Sequence, residues 1–461
     1  MDFLFEIHIF ALICEVLIIL ALIHMVNQKR SPTSMIAWLL AMLLIPYIAV
    51  PVYFLIGSRK RRKNKRTKSH VVLPSLEDNH YRHTHSISTL LVNNGIRRTS
   101  ENNSFKLISN GIEAYEKMMT EFQSATHSIY ISTYVFKFDS TTEKLITLLE
   151  EKASAGIEVR LLIDCIGSWQ LYYKQQHIFD QLKNAGAKVE FFMPLFQMPF
   201  RNYVNLRNHR KIYLIDQCTV FTGGMNLSDE YLGPENTTAR WEDLLFMIQG
   251  QAVCHFYNLF VLDWRYAAKE KLPLMHVTQK HYGNARLQVV PSGPDVPNDA
   301  LYESLLNAIY TAEERVWIVT PYFIPSEAMM KALLIAHRKN VDVQLITPKK
   351  SNHLIADLAR SGYMRTLYEA GIKIAFFEGE MLHAKAIIFD NTACMLGSVN
   401  IDNRSLFLNY EVATYAYSPE IISEVHEWML GLLQRSSYKM EERTRIRKFG
   451  ENLMKITAPL L

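Results

Sequence analysis

Two long apolar stretches lie at the amino-terminal end of the chain. Residues 9–26 are nearly all apolar, and residues 35–56 contain no charged side chain. Each stretch is close to the ~20 residues that cross a bilayer as a helix. Pro46 and Pro51 should kink the second helix, which membrane helices tolerate. The pattern therefore predicts a pair of apolar helices that form a membrane hairpin over residues 1–58.

A cleaved signal peptide or a buried core helix is the alternative interpretation. The first residues carry no basic region, and no small-residue cleavage pattern follows Val26. The run Arg59–Lys68 has eight basic residues in ten. Such an excess keeps its side of a membrane segment in the cytoplasm and attracts anionic headgroups. We therefore expect a multi-pass protein of the bacterial cytoplasmic (inner) membrane, with its amino terminus and its carboxy-terminal body in the cytoplasm.

The pattern changes to alternating strands and helices after a polar, basic linker that we place at residues 59–105. A buried strand, a helix at 3.6-residue spacing and a second strand follow one another, and the same order recurs later: 128–136, 142–156 and 157–164, then 315–323, 326–339 and 341–348. This order predicts an α/β fold in which each half is a mixed or mostly parallel sheet flanked by helices. We place the first half at 106–270, the joint at 271–285 and the second half at 286–461, ending in a short surface helix over 449–461.

Composition narrows the possibilities only a little. The chain of 461 residues is 49% apolar and 21% charged, an ordinary globular balance. A net charge of +5 is too small to argue for nucleic acid as a partner. The five Cys are odd in number and lack metal-ligand spacing, which fits reduced thiols in a cytoplasmic body. We therefore expect neither a metal nor a cofactor.

The same line of sequence occurs twice, 174 positions apart. It reads NHRKIYLIDQCTVFTGGMN at 208–226 and LHAKAIIFDNTACMLGSVN at 382–400. In both copies a Lys follows the His at +2, an Asp at +7, a Gly at +14 and an Asn at +17. One copy would be a weak signal, whereas two copies with matched offsets are not chance. The repetition predicts a duplicated site with one motif in each half.

The residue types in this line point to an anion site. We expect a strand there, so that His209 shares a face with Lys211, as His383 does with Lys385. Lys supplies positive charge, and imidazole can attack or transfer a proton near neutral pH. The Gly-rich turns that follow, Gly223–Gly224 and Gly397–Ser398, would bring backbone N–H groups close to an oxyanion. A pair of duplicated core strands is the plainer explanation, but a core strand has no need of His and Lys on one face.

The doubled line resembles the motif of the phospholipase D superfamily, and the rest of the chain resembles its bacterial cardiolipin synthase branch. The resemblance extends from the amino-terminal apolar pair through KRSPTSMIAWLL, NLRNHRKIYLID, TPYFIPSE and LHAKAIIFDNTACMLGSVNIDNRS to the closing ITAPLL. It implies two halves that pack so that both motifs face one site. It also implies that one His attacks phosphorus and forms a phosphohistidine, while the other protonates the leaving alkoxide.

The resemblance assigns roles residue by residue. It makes His209 the nucleophile and His383 the acid. The side chains expected to hold phosphate oxygens are Lys211, Lys385, Asn226 and Asn400, with Ser398 and Gly224 beside them. A downstream carboxylate in each half should orient a His, and the matching residues are Asp243 and Glu411. Gly224 stands where the second half has Ser398, so one hydroxyl contact should be missing. Asp216 and Asp390 complete the motifs at strand ends, where we expect them to brace the fold.

Three functions remain open from the residues alone. The first is a membrane phosphatidyltransferase that joins two phosphatidylglycerol molecules into cardiolipin and glycerol, with a transferase that uses another phosphatidyl donor as its alternative. The second is a hydrolase of the same fold, and the third is a non-catalytic lipid-binding protein, which the intact second motif argues against. A transferase must keep water from the phosphohistidine. Apolar walls such as Tyr322 and Phe323 are candidates for that task.

Overall fold

The computed structural model describes residues 2–26, 32–56, 85–194, 205–237, 239–277, 280–296 and 298–440, with Arg447 and Glu451. The basic run Arg59–Lys68 lies outside these residues, as does the terminal surface helix predicted over 449–461 apart from Glu451. The chain divides into two compact units. We call residues 1–68 with 194–206 the helical unit, and residues 69–193 with 207–461 the α/β unit.

The helical unit contains α1 (Asp2–Val26), α2 (Pro32–Leu44) and α3 (Pro46–Ile56). The predicted second apolar helix is thus divided at Pro46, whose nitrogen has no hydrogen to donate to the preceding turn. Tyr53 of α3 packs in the small core of this unit and its hydroxyl lies 2.8 Å from Nδ1 of His24 of α1. Within the part of the chain that the structure describes, no helix combines the length and the apolarity needed to cross a membrane.

The first half of the α/β unit contains α4 (Ser86–Asn93), β1 (Ser100–Ile108), α5 (Gly111–Ser124), β2 (Ser128–Thr133), α6 (Ser140–Ser154), β3 (Glu158–Asp164), α7 (Trp169–Lys174), α8 (Asp180–Asn184), β4 (Lys188–Phe192), β5 (Ile212–Ile215), β6 (Thr219–Gly223), β7 (Leu245–Gln249) and α9 (Val253–Ala268). A 3-10 helix, Gln176–Phe179, lies between α7 and α8.

The second half repeats this order with β8 (Ala285–Ser292), α10 (Ala300–Thr311), β9 (Arg315–Val319), α11 (Glu327–Arg338), β10 (Asp342–Pro348), α12 (Leu354–Glu369), β11 (Lys373–Phe377), β12 (Ala386–Phe389), β13 (Ala393–Gly397), α13 (Asn403–Phe407), β14 (Glu411–Ala416), α14 (Pro419–Gln434) and β15 (Ser436–Ser437). All six of the strands and helices predicted from the alternating pattern are present, as β2, α6, β3, β9, α11 and β10.

One continuous sheet joins both halves. Its order among the described residues is β15-β11-β10-β9-β12-β13-β14-β8-β1-β7-β6-β5-β2-β3-β4. Read outward from the central antiparallel pair β1–β8, the two halves follow the same order, and β15 is an extra edge strand of the second half. β2, β3 and β4 are parallel to one another, as are β9, β10 and β11, while the pairs nearer the centre are antiparallel. The fold is therefore the predicted mixed α/β fold in two tandem halves.

Residues 85–105, which the sequence places in the linker, contain α4 and most of β1. Ile87 and Leu91 of α4 are buried in the hydrophobic core of the second half. β1 pairs with β7 of its own half and with β8 of the other. This part of the chain therefore belongs to the packed body, because its few apolar side chains are covered by the second half.

Candidate active site

The two motif lines enter the site just before a strand. β5 begins at Ile212 and β12 at Ala386, so the expectation that each His and Lys lie within a strand is wrong. The segments pair instead with the opposite half. The His209 N–H donates to Tyr410 O at 2.8 Å, and the His383 N–H donates to Glu242 O at 2.7 Å. Each histidine backbone thus bonds to the other half, at the residue directly before Glu411 or Asp243.

The two halves meet at the segments that precede β5 and β12. In the order of the sheet these strands are seven antiparallel steps apart. Parallel bridges nevertheless join 208 to 410 and 242 to 382. These bridges bring the beginnings of both strands to one place.

The carboxylates pair with the histidines of the opposite half. His383 Nδ1 lies 2.7 Å from Asp243 Oδ2, in a buried hydrogen bond. His209 Nδ1 lies 3.2 Å from Glu411 Oε1, within ion-pair distance but without the alignment of a hydrogen bond. Both carboxylates are fully buried, and although burial alone would raise their pKa, the adjacent Lys385 and His383 lower that of Asp243 and the adjacent His209 lowers that of Glu411. Both therefore remain ionised beside their imidazoles.

The residue that contacts the carboxylate from behind differs between the two halves. Ser398 Oγ donates to Glu411 Oε2 at 2.5 Å. At the matched position in the first half, a Cβ on Gly224 would lie 2.0 Å from Asp243 Oδ1. The shorter Asp carboxylate thus occupies the space that a Ser side chain would need. The hydroxyl contact expected to be missing at Gly224 is absent because its place is filled.

The Gly-rich turns do not offer the N–H groups that the sequence suggested. Gly224 N–H donates to Leu244 O at 2.8 Å, and Ser398 N–H donates to Val412 O at 3.1 Å. The preceding Gly223 has a φ of +148° and lies so close to the next strand that a Cβ would be 2.3 Å from Leu244 O. These turns are glycine-rich because two backbones touch there.

The lysines lie beside the histidines and are buried. Burial lowers the pKa of Lys211 to about 8 and that of Lys385 to about 7. Each Nζ donates to the carbonyl oxygen of the histidine in its own motif, Lys211 to His209 O at 2.9 Å and Lys385 to His383 O. Lys385 Nζ also lies 2.8 Å from His383 Nδ1. Burial, followed by the charge of Lys385, lowers the pKa of His383 to about 4, and burial lowers the pKa of His209. A bound anion would raise the pKa of these groups again, so that the site would take up protons from water when the anion binds.

The two motif asparagines differ in their contacts. Asn226 Oδ1 accepts a hydrogen bond from the Val135 N–H at 3.1 Å. Asn400 is buried, and its Oδ1 has no hydrogen-bond partner among the described residues. The Nδ2 groups of these amides are the donors by which they would hold phosphate oxygens.

The motif aspartates lie at the turns after β5 and β12, where both have positive φ. Asp216 accepts hydrogen bonds from the backbone N–H groups of 126–128, at 2.7–2.9 Å. Asp390 accepts from those of 313–315, at 2.8–3.2 Å. Both carboxylates therefore hold the beginning of a neighbouring strand, β2 or β9.

Aromatic rings surround the histidines unequally. The Tyr134 ring centroid lies 3.9 Å from that of His209. Around His383 the centroids of three rings, Tyr231, Trp241 and Tyr322, lie at 5.2, 5.5 and 6.4 Å. Phe323, the other expected wall, is fully buried in the core of the second half.

Sequence reasoning missed most of these neighbours. Among the rings it named only Tyr322, and it also missed Asn409, whose Nδ2 lies 3.4 Å from Nε2 of His209. Tyr134 directly follows β2, and Asn409 stands two residues before Glu411, the first residue of β14, so position next to the end of a strand was the one signal. Among the described residues, no group of three or more His, Cys, Asp or Glu side chains is arranged to hold a metal ion.

Family models match most of the chain. The model described as "Cardiolipin synthase, PLD-like domain" matches residues 118–264 and 305–433, one range in each half. A second model, described as "Phospholipase_D-nuclease N-terminal", matches residues 16–58.

Curated relatives match over nearly the full length. A protein of Clostridium perfringens (strain SM101 / Type A) named cardiolipin synthase is 30% identical, over 94% of this chain and 95% of its own. The major cardiolipin synthase of Bacillus subtilis (strain 168) is 30% identical, over 96% and 97%. Among solved structures, the phosphatidylserine synthase of Haemophilus influenzae Rd KW20 superposes with a TM-score of 0.61 at 14% identity, covering 82% of this chain and 100% of its own. This last likeness concerns the fold alone.

Proposed function

We propose that the chain, which belongs to the cardiolipin synthase family with phospholipase D-like domains, joins two phosphatidylglycerol molecules into cardiolipin and glycerol. The observation that carries this proposal is the meeting of two His-Lys motifs at one site, each His backed by a carboxylate of the other half. Two histidines at one phosphorus can divide attack and proton transfer between them. The acceptor then decides the reaction: a lipid hydroxyl gives transfer, and water gives hydrolysis.

His209 is the proposed nucleophile. Its side chain retains 18% exposure against 11% for His383, so it is the more accessible of the two imidazoles. Its Nδ1 faces Glu411, which leaves Nε2 to attack phosphorus. The P–O bond to glycerol then breaks as the N–P bond forms, and the phosphatidyl group becomes a phosphohistidine.

His383 is the proposed acid and base. Its hydrogen bond to Asp243, at 2.7 Å, stabilises an imidazolium. The low pKa of about 4 in the free site means that His383 must take up its proton from water when the substrate binds. A phosphodiester anion between the two lysines offsets their charge and raises the pKa of His383. His383 then protonates the departing glycerol oxygen and, in the second step, removes the proton of the incoming hydroxyl.

Phosphate oxygens are held by Lys211 and Lys385, with Asn226 and Asn400 as hydrogen-bond donors. Both lysines are buried, so their charges act in a medium of low dielectric and stabilise the extra negative charge of the transition state. The aromatic rings around His383 limit the access of water to the phosphohistidine. These rings favour an alcohol acceptor over hydrolysis.

The helical unit is the proposed attachment to the bacterial cytoplasmic membrane, as a hairpin with the α/β unit in the cytoplasm. Large apolar side chains stand exposed along its helices, for example Val26, Leu43, Leu44 and Ile48. The basic run Arg59–Lys68 would enrich anionic lipid nearby. Attachment would hold the site beside a lipid acceptor at high effective concentration.

Vesicles of phosphatidylglycerol and the purified protein test the reaction. Cardiolipin and free glycerol should appear in equal amounts, as resolved by mass. Phosphatidic acid as the main product would make the protein a hydrolase. Cardiolipin that forms only when another lipid is supplied would mean that the proposed donor is wrong.

Intact-protein mass spectrometry tests the division of roles. The His383→Ala protein should accumulate a phosphatidyl adduct on His209, since attack remains possible while transfer is slow. The His209→Ala protein should carry none. An adduct on His383 in the His209→Ala protein would reverse the two roles.

A further inference from the structure

Two exposed apolar tips stand at matched places in the two halves. The first tip is Trp169 with Tyr173, on the helix that follows β3. The second tip is Leu354 with Ile355, at the start of the helix that follows β10. Their side chains are 47% and 38% exposed in the first tip, and 74% and 56% in the second. A single exposed apolar residue needs no explanation, but a pair repeated in both halves does.

The first tip is connected to His209. Ser168, the residue before Trp169, donates from Oγ to Tyr134 O at 3.1 Å and accepts from the Phe136 N–H at 2.8 Å. The ring of Tyr134 in turn lies 3.9 Å from that of His209. Tyr134 therefore links Ser168, next to the first tip, to the proposed nucleophile His209.

The second tip is connected to His383 in the same way. The Tyr322 hydroxyl donates to Asn352 Oδ1 at 2.5 Å, and the Tyr322 ring lies 5.8 Å from that of His353, the residue before Leu354. The centroids of Tyr322 and His383 are 6.4 Å apart. The two tips thus stand beside the same site, each one aromatic residue away from a histidine.

The side chains that these two helices bury in the core are other ones. In the first tip the rings of Trp169 and Tyr173 are tilted by 46° with centroids 4.0 Å apart, and Tyr173 also contacts Tyr172. Leu171, between them in the sequence, is buried in the core. In α12 the buried side chains begin one turn later, at Ala359 and Arg360. The outward face of each helix start is left apolar.

We propose that the two tips dock the α/β unit on the surface of a bilayer that contains anionic phospholipid. Trp and Tyr favour the headgroup level, and Leu and Ile favour the acyl boundary below it. Two exposed lysines match an anionic surface: Lys174 directly follows Tyr173, and Lys350 lies four positions before Leu354. The inference rests on the proposed function, because a lipid substrate must reach both histidines from a membrane. Docking by both tips would set the site facing the lipid headgroups.

Activity on two presentations of one substrate tests this docking in the full-length protein. Tip variants are Trp169→Ser with Tyr173→Ser, and Leu354→Ser with Ile355→Ser, and Leu274→Ser is an exposed control between the halves. On phosphatidylglycerol in proteoliposomes, each pair should lose about tenfold in rate, because apolar area no longer enters the interface. On dihexanoyl phosphatidylglycerol below its micelle concentration, rates should stay within about twofold, as no interface is involved.

An equal loss on both presentations would overturn the proposal, since the tips would then serve the site or the fold. Unchanged rates in proteoliposomes would overturn it as well. A change of oligomeric state in the tip variants, with unchanged rates on the bilayer, would assign the tips to a second copy of the chain instead.

Fluorescence separates docking from the reaction. Brominated phosphatidylglycerol in the proteoliposomes should quench the natural protein more than the Trp169→Phe protein, because Trp169 reaches the bromines. Equal quenching of the two would contradict docking by the first tip. If the natural protein makes no cardiolipin from either presentation yet shows this difference, the proposed function fails while the docking stands.

Discussion

After burial, the charge of Lys385 is the largest influence that lowers the pKa of His383. Its ammonium lies 2.8 Å from Nδ1 of the imidazole, and a like charge at that distance disfavours the imidazolium. Removing the charge in Lys385→Gln should therefore raise the pKa of His383 from about 4 toward its ordinary value. The Lys211→Gln variant is the matched control and should raise it less, because Lys211 is a weaker cause of the same lowering.

Histidine-selective NMR titration of the purified protein measures this shift. His383 can be assigned by its loss in His383→Gln. An unchanged or lower pKa of His383 in Lys385→Gln would contradict the electrostatic argument. A larger rise in Lys211→Gln than in Lys385→Gln would show that the two lysines have the reverse importance.

Gly224 and Asp243 form a matched pair, as do Ser398 and Glu411. Gly224→Ser should displace the Asp243 carboxylate from His383, since a Cβ would lie 2.0 Å from Oδ1. A displacement of about 1 Å costs on the order of 100-fold in turnover. Adding Asp243→Glu should restore part of the loss, because the longer carboxylate accepts from the new hydroxyl as Glu411 does from Ser398.

Turnover of the single and double variants, with thermal unfolding alongside, checks this pairing. Asp243→Glu alone is the control and should also lose activity, because its carboxylate lacks the hydroxyl partner. A double variant less active than either single variant would contradict the idea of a matched pair.

At the scale of the element, Asp216 holds the start of β2. Its carboxylate accepts from three backbone N–H groups and from Thr126 Oγ1. Asp216→Asn turns an N–H₂ toward those donors and should cost about 1–3 kcal/mol of unfolding free energy at pH 7. Glu116→Gln, on an exposed face of α5, should change it by less than about 0.5 kcal/mol.

The same contact predicts a pH dependence. Partial burial would raise the pKa of Asp216, but the backbone N–H groups of residues 126–128, at the start of β2, lower it below its ordinary value. A carboxylate with a lowered folded-state pKa contributes stability above its unfolded pKa of about 3.9, and that stability is lost as pH falls through the folded value. Unfolding of both proteins from pH 7 to pH 2 should show the gap closing at acidic pH. A gap that widens on acidification would contradict this assignment.

Elements with local periodicity were predictable, and those that depend on the other half were not. β2, α6 and β3 follow from alternating or helical spacing within a few residues. The segments of His209 and His383 read as strand because apolar residues follow them directly, yet their backbone partners belong to the opposite half. The pairing of Asp243 with His383 spans 140 positions and leaves no local pattern in the sequence. The residue types of the site were readable, whereas their crossed arrangement required the fold.

At the scale of the whole molecule, neither half contains a complete site. Fragments 1–272 and 273–461, cut in the segment between α9 and β8, should each be inactive because each histidine loses its carboxylate. Their co-expression should restore activity through the β1–β8 pair and the crossed contacts. Cardiolipin formation in membranes from cells that express one or both fragments measures this.

A first fragment that carries Asp243→Ala is the control, and it should assemble without restoring the normal rate. Turnover by a single fragment, or an adduct on His209 in the first fragment alone, would contradict the requirement for both halves.

The crossed pairing also bears on how such a chain arises by duplication. A chain of one half could build this site only by meeting its own copy, and its assembly would then depend on concentration. In such a dimer of identical chains, every substitution would appear in both halves at once. Fusion of two copies removes both restrictions, and the differences between Gly224 and Ser398, or Trp241 and Asn409, are changes that only a fused gene can keep on one side. A symmetric dimer of identical halves could therefore not have evolved two histidines with different surroundings.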